Sequence, residues 1–409
     1  MLTIAIIGGG ASGMAAAIAA KRQNRSARVM IFEHKDIPGK KILSTGNGRC
    51  NLTNEYMDVS CFRSDHPEKI APVLERFNAN DTINFFQELG ILTKSRNGYI
   101  YPRSDQASAV LDVLRMEIKR LGIEVILSTH VKELSASKKG FRIFTDNKNY
   151  LADKIILATG SKAAKVLGSD GSGYQLAISF GLRLIPVVPA LVQLKVKNFS
   201  FAKASGVRTD ACVKAIIDYK EVASDTGELQ ITAYGISGIP VFQISRYIAR
   251  ALYERKEAFV SVDFIPQMTE DELLQFFNRR KSILKHVDAS EFLIGIFNQK
   301  LIPRLLESAG IRSNTKVDSI NSEQLKNLVK QCKATLFSIA DTNGFDNAQV
   351  CAGGVSLNEI HIETMESCYQ NGLYIIGELL DADGICGGYN LQWAWATGMI
   401  AGENAARQE

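Results

Sequence analysis

Three observations predict an α/β fold. Residues 3–7, TIAII, are an unbroken apolar, β-branched run that leads into the glycines of GGGASG. An alanine-rich helical stretch, MAAAIAAKRQ, follows, and a second strand, RVMIFE, ends in Glu33. At the far end, residues 373–406 repeat the plan of strand, glycine-rich loop and helix. Together they describe a Rossmann-type dinucleotide domain built from both termini. Between the two ends, short alternating strands give way to helical periodicity, which reads as an inserted β-rich domain followed by a small helical one. The expected partition is 1–190 with 345–409, then 191–262, then 263–344.

A chain of 409 residues exceeds one ordinary core. Its 46% hydrophobic and 22% charged content suits a soluble protein. The balance of 48 basic and 43 acidic residues leaves +5, dispersed along the chain, which does not suggest nucleic-acid binding. The seven cysteines form no CxxC pair and no zinc-spaced cluster, so no metal site is expected. The N-terminal apolar run is too short for a signal segment, and no window of about 20 apolar residues could span a membrane. The expectation is a cytoplasmic protein acting on a small molecule, away from membranes, with no statement of oligomeric state.

Each part of the first unit has a physical task. Gly8 permits the tight turn, Gly10 lets the backbone approach a pyrophosphate, and Gly13 lets helix and strand pack closely. The helix N-terminus faces the phosphates, and Glu33, twenty residues after Gly13, can accept from ribose hydroxyls. An acid there argues against a 2′-phosphate, so the ligand is NAD-like or FAD-like.

Two features favour FAD. KIILATG, 154–160, is a strand closing on Ala158, Thr159 and Gly160, where such a chain passes back by the dinucleotide, and Val131 in the preceding 122–134 segment is placed to offer backbone groups to an adenine edge. The C-terminal run then sets Glu378 after Gly377, where an acid can bind ribityl hydroxyls, and aims a helix N-terminus at the pyrimidine end of a flavin.

The strings GGGASG, PGKKILSTGNGRCNLTN (38–54), LATG, GSDGSGYQLAISFG (168–181), PALVQL, GELQITAYGISG (227–238), GGV, TMES and GELLDADGICGGYNLQWAWATG (377–398) run the whole length of the chain. By these the sequence resembles the bacterial NAD(P)/FAD-dependent oxidoreductases of the bile-acid-inducible and aminoacetone-oxidase-like type. The resemblance implies an FAD domain from both termini, with β-rich and helical insertions. It implies FAD contacts at Ser12, Glu33, Lys40, Lys41, Gly46, Asn51, Val131, Glu378 and Leu391. Members often read LFTH at 230–233, whereas this chain reads QITA, so Ala233 stands where a histidine would be. The full expected cofactor set adds Gly8, Gly10, Ala11, Gly13, Arg49, Cys50, Leu52, Ala158, Thr159, Gly160, Gly377, Asp381, Gly388, Tyr389 and Asn390. Within the polar segment 40–54, Lys40 and Lys41 are expected near ribose and pyrophosphate, and Arg49 to Asn51 nearest the redox ring.

In the insertion, LVQLKVK, CVKAIIDY and AFVSVDFI read as strands and SDTG (224–227) as a turn. A helix opens at the capping box Thr269…Glu272, with further helices at about 289–308 and 322–333. The insertion is expected to roof the flavin and select substrate rather than serve only packing. A flavin performs the redox step itself, so the protein need supply orientation and a proton. Tyr234 and Tyr389 are the candidate donors. Arg49 either binds a substrate carboxylate or carbonyl, or braces its loop through backbone carbonyls, with bracing favoured. Cys50 lacks a disulfide-reductase partner and reads as a packed thiol. The five histidines fall in no motif, and most read as surface or turn residues.

The expected function is NAD(P)H-driven reduction of an activated C=C in an enone-type substrate, which the resemblance narrows to bile-acid-like steroids. The chain has one G-x-G-x-x-G, so NADH or NADPH would bind transiently. The alternative is an aminoacetone-like amine oxidase that yields hydrogen peroxide. A non-enzymatic role in RNA or redox regulation finds no support in the charge.

Overall fold

The computed structural model describes residues 1–407. Its chain divides into two compact units, Met1–Val187 with Gln349–Glu409 and Val188–Ala348.

The first unit is built on a seven-stranded sheet. Five strands run parallel, in the spatial order Leu373–Ile375, Lys154–Leu157, Thr3–Ile7, Arg28–Phe32, Glu124–Ile126, and the short pair Ile360–His361 and Glu366–Ser367 adds an antiparallel edge. The chain leaves Thr3–Ile7 toward one edge and returns to its other side with Lys154–Leu157, pairing Ile4 with Lys154 and Ile7 with Leu157. That reversal is a switch point, and ligands of open parallel sheets bind beyond the carboxyl ends of the strands there. The glycines of GGGASG sit at that spot.

Helix Ala11–Gln23 begins three residues earlier than the apolar stretch suggests, directly on the glycine loop. Its alanines have a tertiary cause. The C-terminal helix Tyr389–Ala405 packs so closely on it that a Cβ at Gly398 would lie 2.5 Å from the Ser12 carbonyl oxygen, and one at Gly402 2.3 Å from that of Ala16. Around the sheet lie a three-stranded antiparallel sheet (Val131–Ser137, Gly140–Thr145, Asn149–Ala152) and another (Thr53–Asn54, Tyr99–Pro102, Thr93–Arg96).

The second unit is a closed six-stranded barrel with helices. Its strands are Leu194–Val196, Gly235–Ser237, Lys220–Ile231, Arg208–Ile217, Ala258–Asp263 and Thr335–Thr342, in that order around the barrel. Inward residues such as Val213, Leu229 and Val260 share one apolar core with Ile244 and Ile248 of helix Ile239–Tyr253 and with Phe277, Leu305 and Leu328 of the later helices. The barrel is thus closed by Thr335–Thr342, which the expected partition places in the helical domain, and the β-rich and helical segments form one unit.

Two local expectations change. SDTG lies inside the strand Lys220–Ile231, where Ser224 pairs with Lys214 and Gly227 with Ala211. The hairpin turns instead at Asp218 and Tyr219, both at positive φ (49° and 62°), the backbone twist that a two-residue connection requires. The helix expected over 289–308 is broken into Ala289–Phe292 and Ile302–Ser308, because Gly295 at φ 84° turns the chain between them. Helices Glu270–Ile283, with its capping box, and Ser322–Ala334 form as expected. Among the described residues no helix is long and apolar enough to cross a membrane.

Candidate functional site

In the first unit an elongated cavity of about 1250 Å³, open to solvent, runs along the carboxyl ends of the parallel strands. The glycine loop forms its floor. Gly8 turns at φ 110°, and a Cβ there would lie 2.4 Å from the Ala158 oxygen. At Gly13 a Cβ would lie 2.0 Å from the Gly8 oxygen, so this glycine serves packing and does not line the cavity. A Cβ at Gly10 would meet nothing within 4 Å. Gly10 therefore faces open space at the start of a 13-residue helix whose first turn has no side-chain cap, the geometry that receives a phosphate. Ala11, Ser12, Ala158, Thr159 and Gly160 line the same space.

One end of the cavity is built around Glu33. Its carboxylate is nearly buried and accepts from the amides of Gly9 (3.0 Å) and Lys35 (2.8 Å), which fixes it at the end of its strand. Val131 lines this end beside a β-bulge that disrupts the ladder between Val131 and Glu133, which frees backbone there. His34 and His130 line it too, edge to face at 6.1 Å, with His34 Nδ1 3.5 Å from Glu33 Oε1. Neither histidine falls in a motif that points to this position. The signal lay in adjacency, since each directly neighbours a residue of the ligand wall.

Along the other wall, residues 40–48 are a run of tight turns interrupted at Thr45–Asn47 rather than open coil. Lys40 pairs with Asp36 at 2.5 Å. Lys41 Nζ donates to Glu378 Oε2 at 2.7 Å, joining the polar loop to the C-terminal run. Glu378 Oε1 accepts from Ser161 Oγ (2.6 Å) and the Cys351 amide (3.1 Å). Lys40, Lys41, Glu378, Asn390 and Leu391 all line the cavity, the last two in the first turn of the C-terminal helix. Gly377, at φ 68°, sits where a Cβ would lie 2.5 Å from Ser12 Oγ, while its amide donates to Thr397 Oγ1 at 3.0 Å.

Several expected cofactor residues lie elsewhere. Cys50 is fully buried at φ 60°, and burial pushes its thiol up to about 12, so it is a packed thiol and not a ligand-facing group. Leu52 is a core residue whose carbonyl accepts from Trp395 Nε1. Asp381 is buried, with Oδ2 accepting from the Asp65 amide (2.8 Å) and Ser64 Oγ (3.2 Å), and it shapes the chain at 64–65. Gly46 is a left-handed corner under Asn51. Gly388 begins the C-terminal helix at φ 95°, where a Cβ would lie 2.7 Å from the Thr53 oxygen.

Tyr389 is also displaced from its expected role. It is buried edge-on against Phe62, hydrogen-bonded to Cys61, and its phenol is held protonated well above the usual range by that burial. It lines no part of the cavity. Tyr234 belongs to the second unit, where its exposed phenol oxygen accepts from Asn343 Nδ2 at 3.1 Å. Arg49 is exposed, and its guanidinium makes no hydrogen bond or ion pair among the described residues, so it does not brace its loop through carbonyls. Asn51 is buried with Oδ1 lacking any hydrogen-bond partner. No group of His, Cys, Asp or Glu among the described residues could hold a metal.

The residues fit FAD. An acid without a neighbouring arginine suits an unphosphorylated ribose, and Gly10 leaves the cradle a pyrophosphate needs. The space along the strand ends, counted with its open mouth, admits a dinucleotide, while the orphaned Asn51 acceptor lies in the adjoining loop outside the cavity lining.

Comparison with known proteins agrees with this geometry. A family model described as "HI0933-like protein Rossmann domain" matches residues 2–404. A 3-dehydro-bile acid delta(4,6)-reductase of Clostridium scindens is 57% identical over 408 residues, 100% of both chains. A ribosomal RNA dihydrouridine synthase of Escherichia coli K12 is 29% identical over 393 residues, 96% of this chain and 95% of that one. Among solved structures, a flavocytochrome c3 fumarate reductase superimposes with a TM-score of 0.52 at 14% identity, covering 99% of this chain and 78% of the other. A 3-ketosteroid delta1-dehydrogenase from Sterolibacterium denitrificans does so with a TM-score of 0.50 at 12% identity, covering 99% and 100%. At such identities these two likenesses speak for the fold alone.

Proposed function

The chain belongs to the HI0933-like Rossmann-domain family, and on that footing we propose that it is an FAD-dependent oxidoreductase that reduces an activated C=C of a 3-oxo, bile-acid-like steroid. One observation carries the substrate class: the 57% identity along its whole length to a 3-dehydro-bile acid delta(4,6)-reductase. The family's finer bile-acid-inducible type is part of the same proposal.

When bound, FAD supplies the hydride that the carbon β to the substrate carbonyl receives. The chain's own task is to hold, orient and protonate. Gly10 and the following helix would hold the pyrophosphate, Glu33 the ribose, and Lys41 with Glu378 the ribityl chain. Tyr234, whose phenol oxygen accepts from Asn343 Nδ2, is the proposed donor of a proton to the carbon α to the carbonyl. NADH or NADPH is the proposed transient electron source.

A second reading keeps the chemistry and changes the substrate. The relative named a ribosomal RNA dihydrouridine synthase matches 96% of this chain, and the C5=C6 bond of uracil is likewise conjugated to a carbonyl. The test is anaerobic mixing of the yellow protein with NADH or NADPH, followed by a 3-oxo-4,6-diene bile acid, unmodified ribosomal RNA or buffer. Bleaching by the nicotinamide and recovery of the flavin band with the steroid alone is the expected result. Recovery only with RNA favours the second reading. Bleaching by aminoacetone but by neither nicotinamide sinks both in favour of an amine oxidase.

A further inference from the structure

Arg49 stands out because its surroundings are built and its side chain is not used. Gly46 (φ 55°), Asn47 (φ 55°), Gly48 (φ 81°) and Cys50 (φ 60°) all occupy the left-handed region, two of them without glycine's freedom. Such backbone persists only where the surroundings impose it, and it clusters at ligand clamps. Here the buried Cys50 thiol, bonded to Thr45, and the Arg49 amide, donating to the Gly46 oxygen at 3.2 Å, hold the loop. The effect is to present an exposed, unpaired guanidinium.

What it is presented over is also specific. Strand Tyr99–Pro102 alternates half-buried and buried, so Tyr99 and Tyr101 share its outward face while Ile100 and Pro102 turn to the core. Directly across, Arg96 flanks Tyr99 and Lys94 flanks Tyr101, and both cations bond the single carboxylate of Asp105. With Arg49 the face carries three cations against one acid. Tyr101 reaches within 3.4 Å of the Cβ position at Gly46, beside Arg49 in the chain, and Tyr99 within 3.0 Å of that at Gly387, which precedes the C-terminal helix lining the cofactor cavity. An apolar aromatic shelf therefore runs from the cavity's helix to a free guanidinium.

We propose that Arg49 is the anchor for the substrate's carboxylate, with Tyr99 and Tyr101 as the shelf for an apolar ring body. The inference rests on the bile-acid reading above and adds which end of the acid is recognised, and by what. An isolated exposed arginine is ordinarily just solvated. A guanidinium with no ion pair of its own, on a face where Asp105 already serves Lys94 and Arg96, and beside the half-buried rings of Tyr99 and Tyr101, matches a flat apolar molecule that ends in an anion.

The test uses the oxidised holoprotein and binding rather than turnover. It is titrated with a 3-oxo-4-ene bile acid and with the neutral methyl ester of the same molecule, following the shift of the flavin's visible band. Wild type should bind the acid about tenfold more tightly than the ester, the size of one charge-assisted bond at a solvated site. R49Q should bring that ratio to about one, and R49K should restore part of it without the bidentate geometry. The ratio should shrink as salt rises. A wild-type ratio near one, or a ratio unchanged in R49Q, overturns the proposal. Should R49Q lose flavin, R49K against R49M makes the same comparison. Tight binding of the acid without its reduction would sink the proposed function and leave the Arg49 inference standing. Binding of neither ligand would overturn both.

Discussion

Replacing Gly10 by alanine separates cofactor binding from folding. Gly10 has φ −78° and ψ −167°, a conformation any L residue adopts, and an added Cβ would touch no protein atom within 4 Å. In the flavin-free protein the substitution should therefore cost nothing and could raise stability by about 0.4–1 kcal/mol through the unfolded chain. With FAD the same methyl enters the space that receives the pyrophosphate. Pushing the phosphates off the loop removes two charge-assisted amide contacts at about 1.5–3 kcal/mol each, or roughly 3–6 kcal/mol. That weakens FAD by roughly 10²–10⁴-fold. The control is Gly13→Ala, whose Cβ would lie 2.0 Å from the Gly8 oxygen and should prevent folding with or without flavin. The assay is thermal melting of deflavinated protein beside a fluorescence titration with FAD. A G10A dissociation constant within threefold of wild type, or a flavin-free melt several degrees lower, would refute the placement of the phosphates.

Glu33→Ala strips the acceptor from the buried Gly9 amide, at about 1–3 kcal/mol, and from the part-buried Lys35 amide, at about 1 kcal/mol, so denaturant unfolding should show a loss of roughly 2–4 kcal/mol together with poor flavin retention; full loading would refute the ribose assignment. Gly388→Ala sets a Cβ 2.7 Å from the Thr53 oxygen and 2.9 Å from Asn51 Oδ1 at φ 95°, and should cost about 2 kcal/mol or more; a melt within a degree of wild type would contradict it. Alkylation of the native protein at pH 8 should reach exposed Cys368 while Cys50 and Cys351 label only after denaturation, as peptide mapping can show. Those two thiols, pushed up to about 12 by burial, stay protonated in the fold. Their raised values favour the native state below their ordinary value of 9.0, and that stability is lost as pH rises from there toward 12, at roughly 1.4 kcal/mol per pH unit for each thiol. Unfolding free energies flat between pH 9 and 11 would contradict the burial argument.

What the sequence made legible is what local geometry dictates. Gly8, Gly10 and Gly13 could be assigned separate tasks because a tight turn, a phosphate and a helix–strand contact each demand a missing Cβ at a set spacing. The Lys41–Glu378 pair could not be read, since it joins residues 337 apart and depends on the C-terminal run joining the sheet beside Lys154–Leu157. Neither could the alanines of the first helix, whose reason is the close approach of Gly398 and Gly402. The polar segment 40–54 shows a subtler limit. Reading a contiguous string as one ligand wall assigned Cys50 and Leu52 to the cofactor, yet both side chains are buried in the core, and Gly46 and Gly48 are corners. The string is mostly occupied in folding itself: the left-handed turns need the glycines, the turns need Cys50 buried beneath them, and Leu52 ties the loop to Trp395. A loop so specified internally has few side chains left over for chemistry. Of those that remain, Lys41 is paired into the cavity wall, Asn51 keeps an unmet acceptor, and Arg49 is the one cation of the segment that is exposed without an ion pair among the described residues. Its lack of structural work is therefore the reason to look for its function in the substrate.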